Sequence, residues 1–116
     1  MKREECLFCR IVEGTLSSKK LYEDQDLFAI EDINPQAPTH ILIFPKRHIV
    51  TSLDFTDDDK EMIGTIFLLA NRLAKERGIA ESGYRVTLNC NADGGQTIYH
   101  LHFHLMGGRR FRWPPG

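Results

Sequence analysis

The chain lacks a membrane-length apolar run, a basic excess, a disulfide framework and any internal repeat. No apolar stretch approaches the roughly 20 residues that cross a bilayer, so no membrane association is expected. The start, Met1-Lys2-Arg3-Glu4-Glu5-Cys6, has basic residues but no apolar stretch after them, so no secretion leader is expected. A formal charge of -1 argues against broad nucleic-acid binding, which needs a strongly basic face. The cysteines number 3, an odd count without a leader, which suggests a reducing cytoplasm rather than disulfide pairing.

What is present fits one domain over residues 1–116. Hydrophobic residues make up 41% and charged residues 27%, an ordinary balance for a globular protein. Cys6 to Val12 has apolar residues at helical spacing and stops at Glu13-Gly14, so a short helix is predicted. Leu21–Asp24 and Leu27–Glu31 read as strands around an Asp24-Gln25-Asp26 turn. The prolines of Asp32 to Thr39 make that stretch a loop, and His40–Phe44, bounded by Pro45, fits a central strand. Thr56-Asp57-Asp58-Asp59 caps a helix running to Arg77, with Gly78 as its stop. Met62, Ile63, Ile66, Phe67, Ala70, Leu73 and Ala74 form its apolar face. Tyr84–Asn89 is another strand, and Asn91–Gln96 a glycine-rich turn. The expected class is α+β, an antiparallel sheet of about five strands with one long and one short helix.

The stretch His100-Leu101-His102-Phe103-His104-Leu105-Met106 is the most informative. A strand alternates its side chains, so His100, His102 and His104 share one face while Leu101, Phe103 and Leu105 take the other. Imidazole titrates near neutrality and serves as nucleophile, proton donor or metal ligand. Just before it, Asp93-Gly94-Gly95-Gln96-Thr97 is either a hairpin turn or a phosphate cradle whose N–H groups meet an anion. Its nearness to the imidazoles favours the cradle.

Cys6-Leu7-Phe8-Cys9 is half a metal motif, with His48 and His100 available to complete a tetrahedral zinc site. Cys90 reads as a small buried residue. His40 and His48 taken singly are satisfied structural groups, and Lys46 and Arg47 a solvated strand end. Asp32 is a turn residue or a ribose partner whose carboxylate accepts two hydroxyls. Arg109, Arg110 and Arg112 read as a solvated basic turn, with the alternative that they orient an anionic leaving group.

Together these residues resemble the histidine triad (HIT) superfamily, whose signature is His-φ-His-φ-His-φ-φ with φ apolar. His100 through Met106 matches each position, and the resemblance covers nearly the whole chain. Asp32 to His40, Asp93 to Thr97 and the terminal Trp113-Pro114-Pro115-Gly116 are similar to the Hint branch, which comprises homodimeric purine nucleoside phosphoramidases. The resemblance implies the HIT fold and cleavage of the P–N bond of adenosine 5′-phosphoramidates, releasing AMP and an amine. In that reading His102 is the nucleophile of a covalent nucleotidyl intermediate, His104 a donor to the phosphate, and His40 a supporting histidine. Nucleotide contacts are implied at Asp32, Ile33, Phe8, Ile11, Leu42, Asn89, Gly95, Gln96 and Thr97, as well as at His102 and His104. Structural zinc is implied at Cys6, Cys9, His48 and His100, with no catalytic metal or organic cofactor. The partners implied are a purine nucleotide and a second copy of the chain, whose active site the tail around Trp113 would reach.

Competing readings come from other classes. Dinucleotide polyphosphate hydrolysis and nucleotidyl transfer belong to the same superfamily. A hydrolase with His100, His102 and His104 around one metal is opposed by strand geometry, because at ~3.3 Å per residue the outer Cα atoms stand about 13 Å apart. A nucleotide-binding regulatory module is opposed by the intact nucleophile.

Overall fold

The computed structural model describes residues 5–116; the basic N-terminal residues before Glu5, on which the leader reading partly rests, lie outside the described residues. Five strands form one antiparallel sheet: β1 (Lys20–Glu23), β2 (Leu27–Glu31), β3 (Thr39–Pro45), β4 (Tyr84–Leu88) and β5 (Phe103–Gly107). Their order across the sheet is β1-β2-β3-β5-β4. Two helices accompany it, α1 (Leu7–Glu13) and α2 (Lys60–Glu76). The α+β class and the five-strand antiparallel sheet therefore agree with the expectation.

Alternation explains how one sheet serves two ends. Leu27, Ala29, Ile41, Ile43, Phe103 and Leu105 point to one face and are buried with Ile66, Leu69, Ala70 and Leu73 of α2. Phe28, Ile30, Leu42 and Phe44 point to the other and are buried with Cys6, Phe8, Cys9 and Ile11 around α1. β3 is buried along its whole length because both faces are covered. Gly14 ends α1 at φ 83°, a conformation that an L side chain resists.

Several local expectations shift. Leu69, absent from the expected α2 stripe, is buried, whereas Phe67 is 46% exposed and Met62 and Ile63 are half-buried. The sheet lies under the Ile66–Leu69–Leu73 line rather than the Phe67 line. Thr56 and Asp59 form a reciprocal capping box on a short 3-10 turn, Asp57–Asp59, and α2 starts after it. Arg47 pairs with buried Asp59, and Lys46 with Glu23 at 2.7 Å, so neither is merely a solvated strand end. Cys90 is half-buried rather than buried. Among the described residues no helix is long and apolar enough to cross a membrane.

The histidine strand is shorter than expected. β5 begins at Phe103, and His100, Leu101 and His102 approach it outside the ladder. They still alternate: Leu101 joins the α2-side core, while the rings of His100 and His102 both contact Phe8 of α1.

Candidate active site

A cleft of about 540 Å³ opens between α1, the loop after β2 and the ends of β3 and β5. His40, His102 and His104 form its polar floor, and Phe8, Ile30, Leu42 and Ile98 its apolar wall. Asp32, Ile33 and Asn34 make the lip, where Ile33 is 98% exposed.

Hydrogen bonds to backbone groups fix the tautomers, because a carbonyl can only accept and an N–H can only donate. Nδ1 of His102 lies 2.8 Å from the carbonyl oxygen of His100, so Nδ1 carries the proton and Nε2 keeps its lone pair. The N–H of Gln36 donates to Nδ1 of His40 at 3.0 Å, so His40 holds its proton on Nε2. That Nε2–H is 2.9 Å from Nδ1 of His104 and 3.3 Å from Asp32. His104 therefore accepts at Nδ1 and carries its own proton on Nε2. The outcome is one lone pair on His102 beside one donor on His104, their ring centroids 5.0 Å apart.

Asp32, His40 and His104 also lie close enough to hold an ion. The tautomer chain opposes that use, since Nε2 of His40 is protonated while Gln36 holds its other nitrogen. His100, His102 and His104 do not converge on one ion either: His100 is grouped with Cys6, Cys9 and His48, and His104 with His40 and Asp32.

The ring of His100 is wholly buried. Its Nε2–H donates to the carbonyl of Pro45 at 2.7 Å, which leaves the Nδ1 lone pair facing the cysteines. That atom lies 3.2 Å from Sγ of Cys6, 3.5 Å from Sγ of Cys9 and 3.1 Å from Nδ1 of His48. Sγ of Cys9 is 3.3 Å from Nδ1 of His48. Bonds of ~2.0–2.3 Å in a tetrahedron give ligand separations of about 3.3–3.7 Å, close to these four. Cys6, Cys9, His48 and His100 therefore fit a four-coordinate metal.

Other expected site residues are placed differently. Ile11 lies in the buried cluster beneath α1, and neither it nor Asn89 lines the cleft. The N–H groups of Gly95 and Gln96 donate to Ala92 and Asn91 at 3.0 and 3.1 Å, so these donors close the turn rather than forming a cradle. The buried Gln96 amide bonds Asn91, Val50 and Ile98 backbone groups and staples the loop. Gly94 is required there, since a Cβ would stand 2.5 Å from the carbonyl oxygen of Cys90. Thr97 does line the cleft. Gln36, which sets the tautomer of His40, carries one signal in the sequence, its membership of the Asp32–His40 stretch.

Burial lowers the pKa values of His40, His102 and His104. For His40 the opposing influence is Asp32; for His102 it is the carbonyl of His100, then Asp32. His104 falls furthest, to about 4, through burial and then the neighbouring His102 and His40. The unfolded chain protonates this ring near 6.5 and the folded chain not until about 4. Its contribution to stability is therefore full above pH 6.5 and is lost as pH falls towards 4. His104→Asn should flatten the decline of stability over that window in denaturant titrations. An unchanged acid slope would contradict the assignment.

Comparison with known proteins places this arrangement. The family model for the HIT domain matches residues 13–111, a span that leaves Cys6 and Cys9 outside. A HIT family hydrolase from Legionella pneumophila superposes with a TM-score of 0.93 at 50% identity, covering 96% of this chain and 99% of that one. A histidine triad nucleotide-binding protein from Candida albicans gives 0.80 at 31%, covering 96% and 84%. An uncharacterized HIT-like protein of Synechococcus elongatus is 41% identical over 113 residues, 97% of this chain and 98% of the relative. With its imidazole cleft, this sheet topology and these relatives, the chain belongs to the HIT domain family.

Proposed function

We propose that this protein hydrolyses purine nucleoside 5′-phosphoramidates through a nucleotidyl-histidine intermediate on His102. The observation that carries this reading is the backbone bond to Nδ1, which leaves Nε2 of His102 with a lone pair in a cleft of nucleotide size. Nε2 attacks the α-phosphorus, and the P–N bond breaks as the leaving nitrogen takes a proton from solvent and departs as the amine. Water then displaces the imidazole, giving the monophosphate and returning a proton to solvent. The carbonyl of His100 stabilises the ring as it gains positive charge. The Nε2–H of His104 and the hydroxyl of Thr97 donate to the non-bridging oxygens. Phe8, Leu42 and Ile33 receive the base, and the exposure of Ile33 suits a residue that a ligand covers. Oδ1 of Asp32 accepts the Asn34 N–H at 2.8 Å, which orients the carboxylate at the lip for the ribose hydroxyls. The name of the Candida relative supports a nucleotide ligand.

His102→Ala should abolish phosphoramidate turnover, by more than about a thousandfold, while AMP affinity stays within about tenfold, because covalent catalysis depends wholly on its nucleophile. Substantial turnover by that variant would remove His102 from the mechanism. Wild-type protein that binds AMP but turns nothing over would favour the regulatory module instead.

Zinc is the metal proposed for Cys6, Cys9, His48 and His100, because two thiolates and two imidazoles suit it. With four protein ligands its role is structural, tying α1 to His100. Elemental analysis of protein purified without added metal should give about one zinc per chain. Metal-free protein with unchanged stability would leave the cluster as packing.

A symmetric dimer is also proposed. Trp113 is 84% exposed, and Leu53, Phe67 and Leu68 are exposed as well, so these apolar groups lack cover within one subunit. Sedimentation should show a dimer, and deletion of residues 113–116 should change selectivity among amines. A monomer, or unaltered selectivity, would contradict it.

A further inference from the structure

Residues 94–116 contain no Asp or Glu, yet they carry Arg109, Arg110 and Arg112. These residues fold back beside Arg85 of β4. The Arg109 guanidinium lies 4.2 Å from the ring centroid of Phe111, and that of Arg85 lies 5.1 Å from the same ring. Backbone carbonyls hold both: Nη2 of Arg85 donates to Arg112 at 3.0 Å and Nε of Arg109 to Gln36 at 2.9 Å. Among the described residues no carboxylate pairs with any of these four arginines, whereas Lys46, Arg47, Arg72 and Arg77 all have one. A solvated basic turn would spread its charges into water. Here two like charges are held on one ring, an arrangement that an anion would relieve.

The position of this platform suggests which anion. Its cavity, about 560 Å³, includes Gln36, which also lines the catalytic cleft, so the two spaces share a wall. Across the sheet Arg85 stands opposite Met106, which stands opposite His40, and Thr87 stands opposite His104. Alternation puts Arg85 and Thr87 on the face that carries His104. Arg85 is then the diagonal neighbour of His104, about 7–8 Å away along the sheet. The positive ground begins where the imidazoles end, on the side away from α1 and the base-binding wall.

We infer that Arg85 and Arg109, stacked on Phe111, form a subsite for an anionic group on the leaving-group portion of the substrate. The inference rests on the nucleotide reading above and deepens it: the preferred amine carries a carboxylate or a phosphate-like group. The planar forks keep in-plane donors free while stacked, so they can receive such an oxyanion.

The test compares three adenosine 5′-phosphoramidates of similar length, made from β-alanine, 2-aminoethylphosphonate and β-alaninamide. Wild-type kcat/KM should favour at least one anionic amidate over the neutral one by about fivefold, the scale of an exposed ion pair. The preference should shrink towards one in Arg85→Gln and Arg109→Gln, and Arg85→Lys should restore part of it. In the wild type it should also fall as salt is raised, a measurement that requires no variant to fold. Preference for the carboxylate alone or the phosphonate alone would name the anion. Turnover of all three without anionic preference, or a preference insensitive to salt or to both substitutions, would overturn the subsite and leave the nucleotide reading standing. Failure of the wild type to cleave any of them would overturn both.

Discussion

A single backbone contact, from Nδ1–H of His102 to the carbonyl of His100 at 2.8 Å, governs how this cleft can react. An unconstrained imidazole populates both neutral tautomers and rotates about its side-chain bonds. The carbonyl selects one tautomer and holds the ring edge-on to Phe8, 5.1 Å between centroids. The bond from Leu101 N–H to Ile49 oxygen at 2.7 Å holds the chain beside this contact, outside the sheet ladder. The loss of regular strand at this point is therefore part of the site's construction.

The constraint extends in two directions. Through its own ring, His100 joins the four-ligand cluster, so the residue that sets the tautomer of His102 is anchored by Cys6, Cys9 and His48. On the other side a chain of donors runs from Arg109 to the Gln36 carbonyl, from the Gln36 N–H to His40, and from His40 to His104. Anchoring and polarity therefore come from opposite ends of the cleft and meet at two adjacent rings. Burial keeps these rings neutral, as a nucleophile and a neutral hydrogen-bond donor require.

Features written in local pattern were legible in the sequence. The His-x-His-x-His alternation, the Gly14 stop and the apolar run of β3 need only residue period and backbone preference. Features decided by three-dimensional competition for hydrogen bonds were not. Gln96 sits in a glycine-rich segment that suggests a phosphate cradle, yet its amide is consumed by Asn91, Val50 and Ile98. The burial of Leu69 is not legible in the sequence because two apolar lines run along α2, and periodicity alone does not say which meets the sheet. Gln36 acts through its backbone, which no side-chain pattern reveals. The Cys6–Cys9 pair offered only half a motif, and the fold supplied the other half from residues 39 to 94 positions distant.

The most direct test is the protonation of the His102 ring itself, read by 15N NMR of imidazole-labelled protein at neutral pH. The account predicts a neutral ring with the proton on Nδ1 and an unprotonated Nε2, the less common tautomer in free histidine, with the assignment made by comparison with His102→Ala. A proton on Nε2, or a ring exchanging freely between both tautomers, would contradict it, because no lone pair would then be held ready in the cleft.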